Sequence, residues 1–282
     1  MKNNYLWTSL KARLQLIATT SGAFNWLFLP GGPGLGSESL VPLTQLLKLP
    51  GRIWHLDLPG DGSNLTEDDS KFFSKWSEAL REVVSALDDI ILVAHSTGGM
   101  YALATEDLEK SLTGLVLMDS APDASWQQHF MRHVKRHPIP EVEILHKIYT
   151  KNPDNEILKN LTLLSAPYLF TKEGLSKDIS FLESLPYNFR TCDWSARYFD
   201  TTYKAKWIPK NIPTLILAGE EDFITPISLF MESKEFQNPN ILIKTIKNAA
   251  HFPWIENPNE VSRAFTEYFQ ELLKSFVQPL AG

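Results

Sequence analysis

Asp89-Ile-Ile-Leu-Val-Ala-His-Ser-Thr-Gly-Gly99 is the stretch that decides the fold class. A short apolar segment rich in β-branched residues ends abruptly at a serine between small residues, and a helix-compatible segment follows. The pattern predicts a buried strand over 90–94, a tight turn at Ser96 and a helix over 98–108. A serine on such a turn is held clear of the sheet and close to the amides that open the helix, the layout of a nucleophile elbow. The turn leaves no room for large Cβ substituents two positions before and after the serine. Ala94 and Gly98 occupy those positions, with alanine where glycine is the commoner residue.

Strand and helix signals alternate on either side of this run. Leu10, Ala12, Leu14 and Leu16 alternate with polar residues across 10–20, as in an antiparallel strand with one covered face. Asn25-Trp-Leu-Phe-Leu29 is continuously apolar after its first residue and breaks at Pro30-Gly-Gly-Pro-Gly34. A third strand is predicted over 52–57, ended by Pro59-Gly60-Asp61-Gly62. Phe72, Phe73, Trp76, Leu80, Val83, Val84 and Leu87 fall near helical spacing over 72–87. Further buried strands are predicted over 115–118 and 214–218, another strand over 241–246, and a closing amphipathic helix over 259–276. From Ala121 to about Trp207 there are helix-like stretches and prolines without a buried strand. The expectation is an α/β fold with a mostly parallel sheet covered on both faces, its core formed by 1–121 and 208–282. Residues 122–207 are expected to form an inserted, aromatic-rich helical lid.

Composition narrows the function classes. With 43% hydrophobic and 21% charged residues, the 282-residue chain can bury a large core. A formal net charge of −6 and the lack of a long basic tract argue against nucleic-acid binding. One cysteine, Cys192, excludes an intramolecular disulfide and fits a reducing compartment. The N-terminal residues lack the apolar core of a secretion signal, and no apolar stretch spans a bilayer. A soluble, cytoplasmic protein acting on a small-molecule substrate is expected, with no nucleic-acid partner and no membrane span.

If Ser96 is a nucleophile, it needs an imidazole as base and a carboxylate to fix that imidazole's tautomer. Asp222, in Gly219-Glu-Glu-Asp-Phe-Ile-Thr-Pro226, follows a predicted strand at the edge where open α/β sheets bind ligands. His251, in His251-Phe-Pro-Trp-Ile-Glu-Asn-Pro258, also follows a strand. Asp119 ends the 115–118 strand and is the rival acid, although a hydrogen bond to a neighbouring loop amide is the better reading of it. His95 is expected to point away from the reacting centre and serve structure. Each residue taken singly has an ordinary structural reading, as a cap or a polar loop residue. Their conjunction, in the order Ser, Asp, His, favours chemistry.

These motifs resemble the α/β-hydrolase superfamily over nearly the whole chain outside the insertion. Gly-x-x-Asp-x-x-x-Pro at 219–226 and His-x-x-x-x-Glu-x-Pro at 251–258 look like its acid and histidine loops. Asp57-Leu-Pro-Gly-Asp-Gly-Ser63 resembles its Asp-x-x-Gly-x-Gly-x-Ser turn. Pro30-Gly-Gly-Pro-Gly34 is similar to the His-Gly-Gly-Pro-Gly loop of proline iminopeptidase-like and epoxide hydrolase-like members, with Pro30 in place of the histidine. The resemblance implies the α/β-hydrolase fold, a catalytic Ser96, Asp222 and His251, and an oxyanion hole built from the Gly32 and Thr97 amides. It implies no cofactor. A serine nucleophile favours acyl transfer to water, as in a carboxylesterase, over the carboxylate-nucleophile branches. A proline iminopeptidase-like aminopeptidase is the alternative, and Glu173, Glu183 and Asp193 are candidate ligands for its substrate amine. A non-catalytic ligand-binding protein on the same fold is a third reading. His129, His133 and His137 share a helical face, yet Arg132, Lys135, Arg136 and Pro138 around them suit a cationic helix end better than a metal site.

Overall fold

A computed structural model describes residues 5–65, 70–177 and 179–277. Eight strands make one sheet: β1 (Tyr5–Trp7), β2 (Arg13–Thr19), β3 (Asn25–Leu29), β4 (Arg52–Asp57), β5 (Ile90–His95), β6 (Gly114–Met118), β7 (Thr214–Gly219) and β8 (Ile241–Ile246). Their order is β1-β2-β4-β3-β5-β6-β7-β8; the β1–β2 and β2–β4 pairings are antiparallel and the pairings from β4–β3 onward are parallel. The central strands read as unbroken apolar runs because both faces are covered. Trp26 and Phe28 of β3 enter one apolar layer while Leu27 and Leu29 enter the other. Ile91 and Val93 of β5 likewise oppose Leu92 and Ala94.

Helices α1 (Val41–Leu46), α2 (Trp76–Val84), α3 (Thr97–Ala104) and α8 (Pro258–Val277) belong to the sheet-bearing part of the chain. Between β6 and β7 lie α4 (Trp126–Arg136), α5 (Pro140–Lys151), α6 (Asn155–Leu164) and α7 (Phe189–Tyr198), with shorter turns. Both ends of this helical segment meet at one neck. Ala124 N–H donates to the Tyr203 carbonyl and Ala205 N–H to the Pro122 carbonyl, at 2.9 and 2.8 Å. No helix among the described residues is long and apolar enough to cross a membrane.

Three local departures from the sequence reading have physical causes. The strand expected from Leu10 begins at Arg13, because Lys11 takes a positive φ of 68° in a turn closed by Thr8 N–H to the Ala12 carbonyl. That turn folds Tyr5–Trp7 back as an edge strand with half-exposed Leu6 and Trp7. The helix expected over 72–87 is two pieces, Ser70–Phe73 and α2, with a turn at Lys75. The helix after Ser96 stops at Ala104, where Thr105 is extended and its Oγ1 donates to the Tyr101 carbonyl at 2.8 Å.

Candidate active site

The parallel strands bring the loops after β3, β5, β6, β7 and β8 to one edge of the sheet. Ser96 joins β5 to α3 at φ 52° and ψ −124°, a conformation that costs a non-glycine residue of order 1–3 kcal/mol. Neighbouring backbone holds it there. Ser96 N–H donates to the Met118 carbonyl at 2.8 Å, and the Ser96 carbonyl accepts from Ser120 Oγ at 2.8 Å. A Cβ on Gly98 would collide with the Pro30 carbonyl oxygen, and one on Gly31 would lie 2.5 Å from Ser96 Cβ. The glycine read from the sequence at position 98 is therefore demanded by the glycine-rich loop packed against the turn.

His251 and Asp222 converge on this serine. His251 Nε2 is 3.1 Å from Ser96 Oγ, and His251 Nδ1 is 3.0 Å from Asp222 Oδ2. Burial alone would raise the Asp222 pKa, but His251 and hydrogen bonds from Thr225 and Ile224 outweigh it and hold the carboxyl below its usual value. An ionised carboxylate only accepts, so His251 Nδ1 carries the proton and Nε2 is free to accept the Ser96 hydroxyl. The Asp222 loop is itself tied down: the Ile224 and Thr225 amides donate to Oδ1 at 2.9 and 3.2 Å, and Thr225 Oγ1 donates to Oδ2 at 2.8 Å. His251 N–H donates to the Leu169 carbonyl at 3.1 Å, anchoring the histidine loop to the helical segment.

Asp119 lies in the same cluster, with one oxygen within 4.8 Å of a carboxylate oxygen of Asp222 and of a ring nitrogen of His251. Its Oδ1 accepts the Gly219 N–H at 2.9 Å, the loop-amide bond anticipated for it. Complete burial, and then the Asp222 charge, push its carboxyl well above the usual range, whereas the Asp222 carboxyl is held below it. The structure brings Asp222, not Asp119, onto the imidazole.

His95 departs from its expected orientation. Its ring packs against His251, with centroids 4.9 Å apart, because Nε2–H donates to the His251 carbonyl at 3.0 Å. Burial, followed by the neighbouring His251, lowers its pKa to about 3. An imidazole depressed from 6.5 to about 3 adds stability that is fully present above pH 6.5 and lost as pH falls toward 3. His95→Asn, which cannot titrate, is expected to lose roughly 2–3 kcal/mol less than the natural protein between about pH 7.5 and 4.5. Urea unfolding at the two pH values measures this, and equal losses would show that His95 is not the sensor.

Gly32 and Thr97, expected as amide donors, both line the cavity that contains Ser96 and His251. No described residue accepts a hydrogen bond from either amide. The cavity is about 320 Å³ and mainly apolar, with Trp126 and Phe130 of α4, Leu158 and Leu161 of α6, and Phe252 in its walls. Glu173, Glu183 and Asp193 are not among its lining residues. Asp193 instead accepts the Tyr149 hydroxyl at 2.7 Å and lies 3.5 Å from Arg197. The carboxylate of the 122–207 segment that does reach the cavity is Asp200, missed in the sequence because nothing local marks it. The His133 ring stacks on Phe223, next to Asp222, with centroids 4.2 Å apart.

The family model for the alpha/beta hydrolase family matches residues 26–264. The chain belongs to the alpha/beta hydrolase family. Two relatives of this hydrolase are a proline iminopeptidase of Saccharolobus solfataricus and a pimeloyl-(acyl-carrier protein) methyl ester esterase of Wigglesworthia glossinidia brevipalpis. The first is 24% identical over 271 residues, covering 88% of this chain and 85% of its own length. The second is 28% identical over 255 residues, covering 84% and 90%. The fold matches that of a proline iminopeptidase-related protein from Thermus thermophilus, with a TM-score of 0.72, 19% identity and coverage of 98% and 100%.

Proposed function

We propose that this alpha/beta hydrolase cleaves an ester or related acyl bond through an acyl-enzyme on Ser96. One observation carries the reading: a serine at positive φ is hydrogen-bonded to an imidazole whose other nitrogen meets a buried carboxylate. Ser96 Oγ attacks the carbonyl as His251 Nε2 takes its proton, and Asp222 stabilises the imidazolium. The Gly32 and Thr97 amides face the developing oxyanion, a donor typically worth about 3–4 kcal/mol in the transition state. His251 returns the proton to the leaving group, then activates the water that releases the acid. The helical segment over 122–207 acts as a lid, and its Trp126, Phe130, Leu158 and Leu161 suit a partly apolar acyl or leaving group. A single cysteine suits a reducing compartment, and we place the protein in the cytoplasm.

Asp200 supports a second reading, an aminopeptidase that binds a substrate amine. Its Oδ1 accepts the Ser195 hydroxyl at 2.9 Å, while burial raises its pKa and no cation offsets its charge among the described residues. A panel of short and long acyl esters, thioesters, lactones and N-terminal proline amides separates the two. The ester reading expects kcat/KM to be highest on esters. A preference for prolyl amides that Asp200→Asn lowers by about 10–100-fold relative to the esters would establish the second.

A further inference from the structure

The loop that carries Gly32 rests on a carboxylate that the chemistry above does not use. Asp61 is 4% exposed, and its Oδ1 accepts the Gly34 N–H at 2.7 Å and the Gly36 N–H at 3.2 Å. Both glycines have positive φ, 100° and 73°, which lets the chain present two amides to one oxygen. The Gly34 carbonyl is held in turn by the Asn188 N–H at 3.0 Å, and Asn188 Nδ2 donates to the Gly60 carbonyl at 2.6 Å. A Cβ on Gly34 would collide with the Asn188 carbonyl oxygen, so the contact tolerates no side chain. Gly34, two residues beyond Gly32, is thus clamped through both its N–H and its C=O.

We propose that Asp61 is a positioning residue, holding the 30–36 loop so that the Gly32 amide faces the oxyanion formed when Ser96 attacks. The proposal rests on the serine-hydrolase reading above. The position is distinctive within its own turn. Asp57, four residues earlier, is matched by Arg13, whose Nη2 lies 2.7 Å and Nε 3.2 Å from Oδ2. Arg13 also lies 3.7 Å from Glu38. Asp61 meets the fields of Asp57 and Glu38 with no cation of its own among the described residues, and Tyr101 is the other titratable group coupled to it. Burial and then Asp57 push Asp61 up to about 8, against the two amide hydrogen bonds. The carboxyl is therefore neutral below that pH and ionises above it. Ionised, it accepts the two amides roughly twice as strongly, so the loop tightens as pH rises through this range.

The test is the rate at which a fluorophosphonate labels Ser96, followed from about pH 6 to 9.5 and resolved into a saturating rate and a half-saturating concentration. The phosphonyl oxygen of the probe takes the oxyanion position. The natural protein is expected to show a rise in saturating rate near pH 8. Asp61→Asn keeps an oxygen acceptor for both amides and is expected to stay within about threefold of the lower plateau while losing the rise. Asp61→Ala is expected to lower the saturating rate by about 10–100-fold, with the half-saturating concentration changed by less than about threefold. Labelling of a folded Asp61→Ala protein at the natural rate, or a rise near pH 8 that survives in Asp61→Asn, overturns the proposal. If the alanine variant fails to fold, the asparagine profile decides alone. No labelling of the natural protein would instead defeat the serine reading, and this proposal with it.

Discussion

Ser96→Ala is expected to lower kcat on the best ester of the panel by at least about 10⁴-fold, because it deletes the attacking oxygen. The residual rate would come from the oxyanion donors and from binding, which the substitution leaves in place. Stability should change little. Alanine carries the same Cβ into the same positive φ, so the backbone cost at 52° is retained in both proteins. The lost hydroxyl contact is the one to His251 at 3.1 Å. A melting temperature within about 2–3 °C of the natural value, with KM or ligand affinity largely kept, would assign the loss to chemistry. A non-catalytic binding protein predicts something different: saturable ligand binding that survives Ser96→Ala, and no turnover to lose.

Asp222→Asn should be nearly as damaging, with kcat down by about 10⁴-fold, whereas Asp119→Asn should cost less than about tenfold. The two carboxyls sit in one cluster, yet their environments pull them apart. Asp222 is ionised and receives the Nδ1–H, so an amide in its place can present a donor to that nitrogen and favour the wrong tautomer. Asp119 has its carboxyl pushed up by burial and makes no hydrogen bond to the imidazole, and an asparagine there can still accept the Gly219 N–H through its carbonyl oxygen. Steady-state kinetics on both variants at one pH, with circular dichroism as the folding check, rank the two. The reverse ranking would move the acid role to Asp119.

Much of this was legible in the chain because the relevant signals are local. β3 falls on the run read as a strand, since both-sided burial demands an unbroken apolar segment, and β8, a partly exposed edge strand, also falls on its run. The elbow was readable because steric crowding at a tight turn writes small residues at fixed spacing around the serine. The acid and histidine loops follow strands and carry their own short motifs. What escaped the reading depends on approaches between distant segments. Asp61 meets Gly34 across 27 residues, and His95 meets the His251 carbonyl across 156, so no local pattern encodes either contact. Asp200 reaches the cavity only because the helical segment folds back over the sheet edge. Tyr5–Trp7 is a three-residue edge strand with two exposed large side chains, too short to generate alternation.

The central claim, a nucleophilic Ser96 served by His251 and Asp222, is tested most directly by mapping a covalent adduct. The natural protein is treated with a fluorophosphonate and digested, and the modified peptide is identified by mass spectrometry. One adduct per chain is expected, on Ser96, lost in Ser96→Ala and slowed in Asp222→Asn. An adduct on any other residue, or labelling undiminished by Ser96→Ala, would contradict the claim.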